Sequence, residues 1–269
     1  MGTRLEGKRG LVVGIANEHS IAYGCAKAFH AEGAELAITY LNEKAETYVR
    51  PLAEGLSARL VLPCNVQKEG ELESVFDAIT KQWGSLDFLV HSIAFAPLEA
   101  LRGRLVDCSL DGFLQAMDVS CHSLLRMTKL AEPLFKNGGS VLSMTYFGAE
   151  KVVQNYGVMG PAKAALECSS RYLAAELAEA RIRVNCLSPG PMKTRAASGL
   201  KDFDTLVRAA EERVAHYSEI SIDDIGSLAA FLVSDDARAL SGYVYHVDGG
   251  FSTIGVRRCR SKAWRTALA

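Results

Sequence analysis

Tyr156 and Lys163 stand seven positions apart in Tyr-Gly-Val-Met-Gly-Pro-Ala-Lys, and a second phenol, Tyr146, lies ten residues upstream. The segment 157–177 reads as helix. Seven helical positions are almost two turns, so the phenol and the ammonium would share one face about 10 Å apart along the axis. That gap suits a sugar lying between them. The ammonium can hold sugar hydroxyls while the phenol reaches the oxygen of a reacting molecule. By spacing alone, a surface lysine beside a core tyrosine is the commoner arrangement, so the elements around the pair must decide.

Those elements repeat one grammar, a short apolar strand followed by an amphipathic helix. Strands are expected at 10–13, 35–40, 58–63, 88–92, 140–143, 183–187 and 243–247, several of them unbroken Val/Leu/Ile runs. Such runs suit parallel strands covered on both faces. Helices are expected at 21–32, 43–53, 71–83, 110–131, 157–177 and 223–233. The alternation predicts an α/β fold, one doubly wound parallel sheet of seven strands with helices on both faces. Residues 1–254 read as one domain and 255–269 as a basic tail of unknown role.

Composition narrows the function classes. The chain has 269 residues, 49% hydrophobic and 23% charged, ordinary for a globular protein with a large core. A net charge of −1 without a basic block argues against nucleic acid as a partner. The seven cysteines (25, 64, 108, 121, 168, 186, 259) are scattered without metal-type pairing and read as reduced thiols of a cytoplasmic protein. No metal is expected. No stretch approaches a membrane span, the first apolar run is too short for a signal peptide, and Glu at position 6 disfavours myristoylation of Gly2.

Ligands of doubly wound sheets bind beyond the carboxyl ends of the strands. The first strand ends at Gly14, and Ser20 is placed to cap the helix starting at Ile21, whose free N–H groups could hold a phosphate. The full G-x-G-x-x-G pattern is absent, so an ordinary strand-to-helix turn explains this segment equally well. Asn65 ends the third strand, to meet an adenine edge or cap a turn. His91-Ser-Ile-Ala-Phe-Ala-Pro97 ends the fourth, with small residues that admit a ligand near the backbone, and His91 itself reads as structural. Ser143-Met-Thr-Tyr146 ends the fifth, and Ser188-Pro-Gly-Pro-Met-Lys-Thr194 leads from the sixth into the loop 195–203, which reads as a mobile lid.

On Gly14 with Ser20-Ile-Ala22, His91-Ser-Ile93, Tyr146, Asn155-Tyr156 through Lys163, Arg183-Val-Asn185, Gly190-Pro191 and Val247-Asp-Gly-Gly250, the chain resembles the divergent branch of the short-chain dehydrogenase/reductases. It is most similar there to the bacterial enoyl-acyl-carrier-protein reductases, over roughly residues 7–254. The common branch carries Lys four positions after Tyr, where this chain has Gly160. The resemblance implies a Rossmann-like fold that binds NADH and reduces the double bond of an enoyl thioester on acyl carrier protein during fatty-acid biosynthesis. It implies that Gly14, Ser20, Ile21, Leu41, Asn65 and Val66 hold the adenosine side of the cofactor. Ile93 and Lys163 would flank the nicotinamide ribose, and Met192, Lys193, Thr194, Arg195 and Ala196 the carboxamide and pyrophosphate. Ala96, Tyr146 and Met159 would border the acyl chain, Tyr156 would be the principal catalytic phenol, and the assembly would be a homotetramer.

The implied chemistry suits the residues. Hydride addition at the β-carbon develops charge on the thioester oxygen, where a phenol can stabilise it, and a nearby ammonium should favour the phenolate. The chain departs from the family pattern at Leu41, Asn65 and Ala94, which bears on cofactor binding, and at Arg195 and 214–219, which bears on acyl-chain preference. Other readings are a carbonyl reductase using the same pair and a non-catalytic dinucleotide-binding protein.

Overall fold

A computed structural model describes residues 3–192 and 220–254. Its strands, in chain order, are β1 (Arg9–Val13), β2 (Glu35–Tyr40), β3 (Leu60–Pro63), β4 (Phe88–His91), β5 (Gly139–Met144), β6 (Ile182–Pro189) and β7 (Val244–Val247). They form one parallel sheet in the order β3-β2-β1-β4-β5-β6-β7. The helices are α1 (Ile21–Ala31), α2 (Glu43–Gly55), α3 (Glu71–Gln82), α4 (Leu98–Arg102), α5 (Leu110–Met117), α6 (Ser123–Ala131), α7 (Met159–Glu176) and α8 (Ile222–Val233).

Strand side chains alternate between faces, so each apolar run feeds two cores. Val12, Ile38, Val90, Leu142 and Leu187 pack with α1, α2 and α8. Leu11, Val13, Leu89, Val141 and Val184 pack with α3, α6 and α7. Phe29 of α1 and Phe88 of β4, both fully buried, stack at 4.8 Å between ring centres. Burying each such side chain contributes about 1.5–3 kcal/mol.

Local chemistry starts several helices where the pattern requires. Asn42 accepts the Ala45 N–H at the head of α2, and Ser109 accepts the Gly112 N–H at the head of α5. Ser221 and Asp224 form a reciprocal capping box on α8. Glycines let α1 and α8 cross closely. A Cβ on Gly226 would lie 2.3 Å from the Gly24 carbonyl oxygen, and one on Gly24 2.3 Å from that of Ile222.

The structure departs from the sequence expectations in four places. The helix expected over 110–131 is interrupted by a π-helical turn, Asp118–His122, between α5 and α6. α7 begins at Met159 rather than at 157, because Asn155 and Gly157 both adopt positive φ. β3 begins at Leu60, the first residue to pair with β2, after a left-handed Ser57. α4 was not anticipated, since five residues after Pro97 carry too little periodicity to stand out.

Candidate active site

The strand order reverses between β1 and β4, which stay paired to their carboxyl ends. Gly14 leaves β1 with φ +118°, and a Cβ there would meet the Ser92 carbonyl oxygen at 2.1 Å. Only glycine lets these two strand ends meet. The Ser20 hydroxyl is not a helix cap as expected. It accepts the Ala16 and Asn17 N–H groups, 3.0 Å each, and so closes the loop that aims the start of α1 at the crevice.

The phenols converge from either side of this edge. Tyr146 follows β5, and its ring centre lies 5.1 Å from that of Tyr156, tilted by 59°. Tyr156 does not share a helical face with Lys163. It sits in the turn before α7, between left-handed Asn155 (φ +62°) and Gly157 (φ +49°). A side chain at 157 would strike the Leu101 carbonyl 2.4 Å away, so packing against α4 sets this turn. Gly148 leaves room for the Tyr156 ring, since a Cβ there would lie 2.5 Å from it. Burial pushes both phenols up, Tyr146 to about 12, and Tyr146 and Glu167 push Tyr156 further the same way. Both are therefore neutral donors near pH 7. Burial thus moves Tyr156 away from the phenolate that a nearby ammonium was expected to favour.

Lys163 is buried, 5% exposed, and its ammonium donates to the Met144 carbonyl at 2.7 Å. Burial lowers it to about 8. Beneath it, His91 is fully buried with Nδ1 2.9 Å from Ser143 Oγ and Nε2 2.8 Å from Ser123 Oγ. Burial and the Lys163 charge lower His91 to about 3, so it is a neutral structural group, as its position before the turn residues suggested. The π-helical turn presents Ser120, a residue that sequence reasoning missed. Its hydroxyl accepts the Phe95 N–H and donates to the Phe95 carbonyl, both at 3.0 Å, and lies 3.7 Å from the Met159 sulfur. It latches the loop that carries Ala96. A serine in a helical pattern gives no sequence signal for such a contact.

The other anticipated residues divide. Leu41 is 53% exposed at the end of β2. Asn65 accepts the Gln67 N–H at 3.0 Å, so its carbonyl oxygen caps a turn. Val66 is buried, and its carbonyl accepts from Arg126. Ile21 and Met192 pack against the α1/α8 core, Ile93 against the α3/α6/α7 core, and Ala96 beside Ala100, Ala116 and Val158. Lys193, Thr194, Arg195 and Ala196 lie outside the described residues, as do the loop 195–203, residues 214–219 and the tail 255–269.

Two buried hydroxyls at this edge, Tyr146 Oη and Ser188 Oγ, have no hydrogen-bond partner among the described residues. Buried polar atoms are nearly always paired, so both hydroxyls are available to hydrogen-bond a bound molecule. With the Gly14 cradle and the Lys163 ammonium, they fit a dinucleotide and its substrate. Ligands of doubly wound sheets bind beyond the carboxyl ends of the strands, where the phenol pair and Lys163 stand, and this matches the short-chain dehydrogenase/reductase class that the sequence resembles.

Within that class the chain belongs to the family described as Enoyl-(Acyl carrier protein) reductase, whose profile matches residues 14–252. The NADH-dependent enoyl-acyl-carrier-protein reductase of Aquifex aeolicus is 46% identical over 94% of both chains. The Anaplasma phagocytophilum reductase solved in complex with NAD is 44% identical with a TM-score of 0.91, covering 96% of this chain and 98% of that one. The Bacillus cereus enzyme, solved with NADP+ and an indole naphthyridinone, is 43% identical with a TM-score of 0.91, covering 94% and 99%.

Proposed function

We propose that this protein reduces the trans-2 double bond of an enoyl thioester on acyl carrier protein with NADH, as a step of fatty-acid biosynthesis. The observation that carries the reading is the tilted Tyr146–Tyr156 phenol pair that follows β5, with the buried Lys163 ammonium held at the Met144 carbonyl on the same strand end, in a chain of this family. When bound, the reduced nicotinamide supplies the hydride to the β-carbon.

Tyr156, held as a neutral phenol, donates to the thioester oxygen, directly or through a ribose hydroxyl, where negative charge develops. A proton from solvent completes the α-carbon. Lys163 grips the ribose. Gly14, Ser20 and Ile21 form the turn and helix start for the adenosine-side phosphates, and Leu41, Asn65 and Val66 border the adenosine. Ile93 and Met192 line the nicotinamide side. Tyr146, Ala96 and Met159 border the acyl chain.

The experiment mixes protein, NADH and crotonyl thioester and follows the absorbance of the reduced nicotinamide, with a ketoacyl thioester in parallel. Consumption with the enoyl substrate is expected. Consumption with the ketoacyl substrate alone would make the protein a carbonyl reductase. NADH binding without turnover of either would make it a binding protein. No described helix is long and apolar enough to cross a membrane. A cytoplasmic location is part of the proposal, supported by membership of this family. A homotetramer is part of the proposal, supported by exposed Leu110 (70%) and Leu114 (53%) on α5, Tyr172 (68%) on α7 and Tyr243 (59%) before edge strand β7.

A further inference from the structure

Lys163 and Glu167 are four residues apart on α7, and each grips one of two adjacent residues at the end of β5. The Lys163 ammonium donates to the Met144 carbonyl at 2.7 Å, and the Thr145 hydroxyl donates to Glu167 Oε1 at 2.6 Å. Lys163, Glu167 and Thr145 are 5%, 7% and 4% exposed. Carboxylates are rarely so buried unless a charge partner compensates them. The next residue, Tyr146, stacks on Tyr156.

We propose that Glu167 is a positioning residue for Lys163, its buried carboxylate anchored by Thr145 and supplying the counter-charge that holds the ammonium in place for the cofactor ribose. The inference rests on the reading that Lys163 binds the nicotinamide cofactor.

The groups facing Lys163 leave Glu167 this part. From β4, His91 is neutral above its lowered value of about 3. From β6, Cys186 is pushed up to about 11, and from the π-helical turn Cys121 is also raised by burial, so both stay thiols. Glu167, from α7 itself, is the carboxylate of the set and acts to raise Lys163 against the burial that lowers it to about 8. Burial raises Glu167 in turn, and Glu150 adds to this. The Thr145 hydroxyl, Arg171 on the same helix and His246 on β7 oppose the rise. Removing the carboxylate charge lowers Lys163 further, so the ammonium is lost at lower pH.

The test titrates NADH fluorescence against the full-length protein from about pH 6.5 to 9.5, for wild type, Glu167→Gln, Thr145→Val and Thr145→Ser. Glu167→Gln is expected to bind NADH within about twofold of wild type at pH 6.5 and about tenfold more weakly at pH 8.5, a shift of about one pH unit in the alkaline limb. Thr145→Val should shift the limb less in the same direction, and Thr145→Ser should follow wild type. If Glu167→Gln fails to fold, Thr145→Val decides. Wild-type curves for both variants, or an equal loss at every pH, would overturn the proposal. Because the readout needs no thioester, wild type that binds NADH but reduces no enoyl thioester would remove the proposed function and leave this inference standing. Wild type that binds no NADH would remove both.

Discussion

The Tyr156 hydroxyl is a protonated donor, and the Lys163 ammonium is held at the Met144 carbonyl at the end of β5, so the two groups should fail in different ways. Tyr156→Phe should leave NADH affinity near wild type and lower kcat by about 10²-fold, the loss typical of an oxyanion donor. Lys163→Met should instead weaken NADH binding, while Lys163→Arg keeps charge and donors and retains part of it. Unchanged turnover in the first variant, or unchanged calorimetric NADH affinity in the second, would break this division of labour. His91 sets a pH limit on stability. Its folded value of about 3 lies below the ordinary 6.5, so the unfolded chain takes up the proton first. The contribution is therefore present above pH 6.5 and lost as pH falls toward 3, by up to about 1.4 kcal/mol per pH unit. Urea midpoints between pH 7 and 4 should fall less steeply for His91→Asn than for wild type. Equal slopes would assign the acid sensitivity elsewhere.

Elements place these groups through contacts that tolerate little change. α1 and α8 cross where Gly226 meets the Gly24 carbonyl. Gly226→Ala would put a methyl into backbone and force the helices apart, at a cost of about 1–3 kcal/mol. A denaturant midpoint equal to wild type would show that the crossing relaxes freely. The end of β2 and the start of α2 govern cofactor choice. Leu41 offers no hydrogen bond, the nearest local cation is Lys44, and Glu43 beside it offsets that charge. A 2′-phosphate there would lack a paired donor, whereas a 2′-hydroxyl can face water. Steady-state kinetics should give a higher kcat/KM with NADH than with NADPH, by a modest ratio. The reverse would make Lys44 a phosphate ligand. The π-helical turn between α5 and α6 shows why boundaries misled. The residues 110–131 have one helical hydrophobic pattern, and the extra residue is revealed only by Ser120 reaching Phe95.

At the scale of the molecule, one sheet joins a described body that leaves apolar surface on α5, on α7 and beside β7. Exposed apolar side chains clustered beside an edge strand are costly in a monomer. Light scattering should give a particle of four 29.1 kDa chains. A single-chain mass at micromolar concentration would refute the assembly.

The amino-acid sequence by itself determined the alternation of strand and helix, because apolar runs buried on both faces and amphipathic helices are written in neighbouring residues. It also determined the Tyr156–Lys163 spacing and the glycine required at position 14. It could not tell that Tyr156 precedes α7 instead of riding on it, since Gly157 takes its conformation against Leu101 far back in the chain. Tertiary structure alone decided that Tyr146 stacks on Tyr156, that His91 lies between Ser143 and Ser123, and that Thr145 anchors Glu167 beside Lys163. Each joins groups on different elements. Their protonation follows from burial, which exists only once the sheet order has closed the core around them.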